Sequence, residues 1–217
     1  MPSLFVNPGA AALILVDAQP FFMDLMHGPQ EPVLARQEHL LMLGDQFDIP
    51  CIATFEHPVE RNGWLPERLE RAFPASGRRF IKRTFNLCLE PEIAGAIRAL
   101  GVEQCIVAGA ETDVCVLQSV LGLIDLGYQV FVVEDCLFTH EANDGPALRR
   151  MERAGAVPLT YKTLHYELKR SVDPAPFHLA WNARHGHSGR PFVSPYELPT
   201  FGRHGTVQDV VRPVTVP

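Results

Sequence analysis

Apolar positions along this chain follow two rhythms. Residues 11–16 (AALILV) form an unbroken apolar run, the pattern of a strand buried on both faces of a parallel sheet. Runs at 50–55, 105–109, 130–133 and 157–160 and the short stretch 79–82 also read as strands. Helical spacing covers 33–47, then 90–100 closed by Gly101, then Val116, Leu117, Val120, Leu121, Leu123 and Ile124 closed by Gly127. It returns at 144–154, with Asp144 as cap, Pro146 in the first turn and Gly155 as stop, and at 164–170. Strand–helix alternation of this kind predicts a parallel sheet with helices on both faces, joined by right-handed crossovers.

Three stretches depart from these rhythms. Residues 20–32 read as a loop carrying Phe21, Phe22, Met23, Leu25 and Met26; that apolar bulk suits a pocket wall, an oligomer contact or packing beneath the loop. Residues 56–77 hold Pro58, Gly63, Pro66, Pro74 and Gly77, and long connections in compact domains are often functional. Beyond about residue 173 Pro, His, Gly and Arg become frequent and periodicity is lost. The chain therefore divides into a domain over 1–172 and an extension over 173–217. Trp181, Phe192, Tyr196 and Phe201 give the extension anchors and predict an arm lying on its own or a neighbouring subunit. His178, His185, His187 and His204 lack fixed ligand spacing and read as solvated.

Composition narrows the functional classes. A 217-residue chain with 47% hydrophobic residues suits one α/β domain plus an extension. Net charge of −6, with no Lys/Arg run, argues against a nucleic-acid partner. The early apolar run lacks a basic leader and is interrupted by Asp17, so it is not a signal peptide, and no run is long enough to span a bilayer. The five cysteines form no CxxC pair and no zinc-finger spacing, and Cys51, Cys105 and Cys136, in or beside apolar runs, read as reduced core residues of an intracellular, cytoplasmic protein.

Ligands of open parallel sheets bind beyond the carboxyl ends of the strands. Asp17 follows the first strand, Lys82 closes the third, and Cys115 follows the fourth in the first turn of a helix that Thr112 or Asp113 would cap. Alone, Cys115 reads as a buried small hydrophobe, Asp17 as a cap and Lys82 as a surface charge. Together they supply a nucleophile, an ammonium and a carboxylate. A free thiol is only a few per cent thiolate at neutral pH. A neighbouring ammonium and a helix N-terminus would lower the Cys115 pKa. A carboxylate can take the thiol proton and return it to a leaving amine. The backbone N–H of Cys115 and one from the preceding turn would hold the oxyanion.

The stretches D17-A-Q19-x-x-F22, I-K82-R and G109-A-E-T-D-V-C115-V, with G127-Y-x-V-x-V-V-E-D135 and A147-L-x-R-M-x-x-A-G-A156, resemble the isochorismatase-like cysteine hydrolase superfamily over roughly residues 10–170. The resemblance implies a three-layer α/β/α fold with a mostly parallel six-stranded sheet of Rossmann-like order 3-2-1-4-5-6. It also implies a Cys115–Lys82–Asp17 triad and a non-proline cis peptide at Ala110–Glu111 that aims the Glu111 N–H into the oxyanion hole beside that of Cys115. Phe22, Trp64, Leu87 and Thr139 would line the substrate pocket. Nicotinamidases of the superfamily bind a metal through an Asp-x-His pair and a further His. Here residues 54–58 read T-F-E-H-P, and Glu56 and His57, being adjacent, would point opposite ways. The expectation is a metal-free, cofactor-free, homo-oligomeric hydrolase cleaving a C–N bond of a small amide or carbamoyl compound through a thioester. The alternatives are an isochorismatase-type vinyl-ether hydrolase and a non-catalytic oligomeric binding module that keeps the fold.

Overall fold

The computed structural model describes residues 3–172, Leu198 and the backbone of residues 200–201 and 207–208. The expected arm over 173–217 otherwise lies outside the described residues. Six strands build the central sheet: β1 (Ala11–Val16), β2 (Cys51–Glu56), β3 (Arg78–Lys82), β4 (Gln104–Ala110), β5 (Gln129–Phe138) and β6 (Val157–Leu159). All pair in parallel, in the order β3-β2-β1-β4-β5-β6, as expected. The helices are α1 (Pro20–Leu25), α2 (Gln30–Gln46), α3 (Val59–Asn62), α4 (Glu67–Ala72), α5 (Pro91–Ala99), α6 (Leu117–Asp125), α7 (Gly145–Ala154) and α8 (Tyr161–Lys169).

Successive strand residues point to opposite faces, which is why the apolar runs are unbroken. Leu13 and Leu15 of β1, Phe55 of β2, and Phe131 and Val133 of β5 pack with Leu40, Leu41 and Leu43 of α2, Leu69 of α4 and Leu164 of α8. Their neighbours Ile14, Val16, Ile52, Val107, Val130 and Val132 pack on the other face with Ile93 and Ile97 of α5, Val120 and Leu123 of α6, and Met151 of α7. Leu198, from the extension, is buried in the first of these clusters. The α2 helix also buries polar groups: Arg36 pairs with Asp135 at 2.8 Å, and Gln37 donates to the Cys136 carbonyl at 2.9 Å. Asp135 accepts in addition from the Tyr161 N–H at 2.7 Å, so one carboxylate joins α2, β5 and the start of α8.

At the amino edge of the sheet, glutamine side chains lace the lead-in to the strands. Gln104 accepts from the Asn7 N–H at 2.7 Å and donates to Gln129 at 2.9 Å, and Gln129 donates to the Ser3 carbonyl at 2.7 Å.

Four local expectations need correction. Residues 20–32 are not a loop: α1 starts at Pro20, and α2 starts at Gln30 and takes in Pro32. Proline is tolerated there because the first N–H groups of a helix have no intrahelical partner. Residues 56–77 hold two short helices, α3 and α4, entered at Pro58 and Pro66. Asp144 takes the cap position of α7 without a side-chain cap bond. Lastly, β5 runs to Phe138, well past the expected 133, through a register shift against β4 between Val107 and Gly109.

Candidate active site

Four strands that lie side by side each deliver one ionisable side chain to the carboxyl edge of the sheet. Asp17 follows β1, Glu56 closes β2, Lys82 closes β3, and Cys115 follows β4. Glu56 and Lys82 are register partners, as are Val16 and Gly109. The chain leaves β1 toward β2 on one side, and β4 lies on the other, so the site occupies the point where strand order reverses.

The turn that places Asp17 is unusual. Its φ is +43°, in the left-handed region that Asp tolerates better than most side chains. Its N–H bonds the Thr54 carbonyl at 3.1 Å, and the Thr54 hydroxyl donates to Oδ1 at 2.8 Å. Beside it, Gly109 has φ +120°, and a Cβ there would lie 1.9 Å from the Val16 carbonyl oxygen. Only glycine lets β4 pass this close to the residue before Asp17.

Lys82 is fully buried, and its Nζ lies 2.6 Å from Asp17 Oδ2 and 3.4 Å from Cys115 Sγ. Nζ also donates to the Thr84 carbonyl at 3.1 Å. Glu90 holds that turn by accepting from the N–H groups of Arg83 and Thr84 and from the Thr84 hydroxyl. Asp17, Lys82 and Cys115, distant in sequence, thus meet within hydrogen-bonding range. The Ala110–Glu111 peptide is cis.

Thr112 and Asp113 do not cap a helix at Cys115. Residues Thr112–Val116 form a π turn, in which the Val116 N–H bonds the Glu111 carbonyl at 3.0 Å, and α6 begins only at Leu117. Asp113 accepts from the Thr139 hydroxyl at 2.6 Å, while the buried Thr112 hydroxyl has no hydrogen-bond partner among the described residues.

Electrostatics reverse one expectation. Burial pushes the Cys115 thiol above its ordinary pKa; the Asp17 carboxylate adds to the rise, Lys82 opposes it, and Glu56 adds again. The resting sulfur is therefore a thiol rather than a stabilised thiolate. Burial also disfavours the Lys82 ammonium, yet the Asp17 carboxylate and Cys115 hold its pKa above the usual lysine value. Burial raises the Asp17 pKa above the ordinary carboxylate value, while the Lys82 ammonium against one oxygen and the Thr54 hydroxyl on the other oppose that rise.

Glu56 was not among the residues expected to act on the sulfur. The Cys115 thiol donates to its Oε2 at 3.3 Å, and that oxygen lies 4.0 Å from Lys82 Nζ. The rule that singled out Asp17, Lys82 and Cys115, position at a strand's carboxyl end, also selects Glu56. Its likeness to part of a metal-binding loop hid that placement. Asp17, Glu56 and Cys115 do bring one ligand atom each within 4.8 Å of one another. A divalent ion among them would face the Lys82 ammonium, which lies 2.6 Å from Asp17 and 4.0 Å from Glu56 and already offsets part of their charge, so the donor set fits a cation poorly.

The residues expected to line the pocket separate. Phe22 is mostly buried, edge-on to Phe21. Trp64 is half exposed and packs edge-on against Phe55, with centroids 4.9 Å apart. Leu87 has no exposed surface and sits in the apolar cluster that includes Cys115; it is a core residue rather than a wall. Thr139 lines a cavity of about 480 Å³ with Met26, His27, Val33 and Phe138, residues that do not include Asp17, Lys82 or Cys115.

A parallel sheet of this order with a cysteine, a lysine and two carboxylates at its switch point defines an α/β protein with a candidate site at its strand ends. The chain belongs to the isochorismatase family: the family model of the isochorismatase domain matches residues 11–163. It is similar to the probable hydrolase YcaC of Escherichia coli (strain K12), 31% identical over 175 residues that cover 78% of this chain and 82% of that one. Among solved structures it is similar to YcaC from Pseudomonas aeruginosa with hexane-2,5-diol and covalent acrylamide. That match has TM-score 0.75 and 27% identity, covering 85% of this chain and 93% of the other. The E. coli YcaC structure, an octameric hydrolase of unknown specificity, matches with TM-score 0.76 and 28% identity over 85% and 92% of the two chains.

Proposed function

We propose that this protein is a metal-independent cysteine hydrolase that cleaves the C–N bond of a small amide or carbamoyl compound. The observation that carries the reading is the unbroken contact from Asp17 to Lys82 to Cys115, 2.6 Å and then 3.4 Å, at the carboxyl edge of the sheet. Lys82 stabilises the sulfur as it becomes anionic. A carboxylate of the cluster takes the thiol proton. Sulfur then attacks the carbonyl carbon, and the oxyanion forms against the backbone N–H groups of Glu111 and Cys115, at the cis Ala110–Glu111 turn. Collapse expels the amine with a proton and leaves a thioester, and water releases the acid. Because the resting thiol is held protonated, ionisation belongs to the reaction and not to the free enzyme.

Two further observations support the reading. The relatives named as hydrolases share the fold over most of their length. A neighbour of that fold holds covalent acrylamide, an electrophilic primary amide. Phe22 and the half-exposed Trp64 are proposed to flank the substrate. The E. coli relative is octameric, and we propose a homo-oligomer here as well. Five unbridged cysteines fit a reducing cytoplasm, and no helix among the described residues is long and apolar enough to cross a membrane.

The test is a panel of small amides, carbamoyl compounds and vinyl ethers offered to wild type and Cys115→Ala. Amide turnover should fall by about 1,000-fold or more in the variant, and wild type quenched in acid should carry the acyl group on the Cys115 peptide by mass spectrometry. Turnover that survives Cys115→Ala, or a vinyl ether as the only substrate, would reject the thioester route.

A further inference from the structure

We infer that Glu56 is a fourth catalytic residue, the base that receives the Cys115 thiol proton and delivers it to the leaving amine. The inference deepens the cysteine-hydrolase reading and rests on it. Its first support is contact: the thiol donates to Glu56 Oε2 at 3.3 Å. Asp17, the other carboxylate, also lies beside the sulfur, but its two oxygens are already held by Lys82 at 2.6 Å and by the Thr54 hydroxyl at 2.8 Å.

The second support is access. The side chains of Asp17 and Lys82 are 0% exposed, whereas that of Glu56 is 20% exposed. Among the described residues, Glu56 is the charged group that reaches both the thiol and solvent, which a group that exchanges protons between half-reactions must do.

Third, the fold holds Glu56 by its main chain. The buried Gln19 side chain accepts from the Glu56 N–H at 2.7 Å and donates to its carbonyl at 3.3 Å, and also to the Gly63 carbonyl at 2.7 Å. Buried Asn62 donates to the same Glu56 carbonyl at 3.1 Å. Two buried amides thus fix the residue from both sides and leave its carboxylate free to face the sulfur.

Charge balance gives the fourth support. Facing Glu56 are Asp17 from the end of β1, Lys82 from β3 and Cys115 from the π turn. With a neutral thiol the cluster holds two carboxylates and one ammonium. Releasing the thiol proton to bulk water would add a second uncompensated negative charge to a largely buried site. Passing it to Glu56 leaves the net charge unchanged. The S–H bond breaks as an O–H bond forms on Oε2, and the sulfur electron pair makes the C–S bond. The Glu56 proton then goes to the departing nitrogen as the C–N bond breaks. In the second half, water gives Glu56 a proton as its oxygen attacks the thioester, and the thiolate reclaims that proton as the C–S bond breaks.

The experiment follows carboxamidomethylation of the Cys115 peptide by iodoacetamide against pH, by mass spectrometry, in wild type and Glu56→Gln. An internal base makes the wild-type rate nearly independent of pH between about 6 and 8.5, because the proton stays within the site. In Glu56→Gln the plateau should vanish: labelling near pH 7 should be about tenfold slower or more and should climb about tenfold per pH unit. Faster labelling of Glu56→Gln at neutral pH, the result if the carboxylate acted only through its negative charge, overturns the inference. So does a wild-type rate that climbs steadily with no plateau, a measurement that does not depend on the variant folding. Both outcomes leave the cysteine-hydrolase reading standing. Turnover that survives Cys115→Ala removes that reading and this inference together.

Discussion

Lys82 shows how one side chain couples stability to chemistry. It is fully buried, and its ammonium is matched by Asp17 at 2.6 Å, so removing either partner strands the other away from water. Breaking a buried pair in this way costs about 3–5 kcal/mol. Lys82→Met should therefore lower the unfolding free energy by about that much, read from urea denaturation. The double variant Asp17→Asn/Lys82→Met should be destabilised by clearly less than the sum of the two single variants. Additive losses would mean that the two groups are not a pair in solution. At this scale the sequence was partly readable. Asp17, Lys82 and Cys115 stood out because strand ends can be placed from apolar runs. The state of the sulfur did not, since its pKa depends on burial and on two carboxylates whose distances no spacing reveals. Leu87 was misplaced for a related reason: order along the chain gives an element, not the side of it that faces solvent.

Strands and long helices followed the apolar rhythm because both faces of the sheet are covered, so that the middles of the central strands are apolar on both sides. What periodicity does not encode is the irregular backbone that shapes the site. The π turn at Thr112–Val116 and the register shift of β5 arise from tertiary fit between neighbours. Gly109 can be tested at this scale. Alanine there would set Cβ 1.9 Å from the Val16 carbonyl oxygen, in backbone that other residues rarely adopt. Gly109→Ala should cost about 4 kcal/mol or more, or leave no folded protein, because β1 and β4 must part. At Gly127, where φ is +90°, an added methyl group would meet nothing within 4 Å, so Gly127→Ala should cost only about 1–2 kcal/mol of backbone strain. Equal urea midpoints for the two variants would contradict the close approach of the strands.

Across the whole molecule, the buried thiols set the response to alkali. Burial pushes Cys88 and Cys105 up to about 12, and raises Cys51, Cys115 and Cys136 as well. Their folded-state pKa values lie above those of the unfolded chain, so their contribution is complete below the ordinary thiol pKa and is lost as pH rises toward the folded values. The unfolded chain releases these protons first. Each fully buried thiol then removes up to about 1.4 kcal/mol per pH unit once the unfolded form has ionised. Under a reductant, the urea midpoint should hold near pH 8 and fall steeply by pH 10; a midpoint unchanged across that span would show that the thiols ionise alike in both states.

The glutamine lacing of the lead-in has a practical side. It ties residues 3–7 to the amino ends of β4 and β5, whereas the reactive groups lie at the carboxyl ends. A six-residue strand spans about 20 Å, so an affinity handle joined ahead of Ser3 grips the molecule from behind. Tethered by that handle to a sensor chip, the molecule would present the carboxyl edge of its sheet outward to flowing ligand.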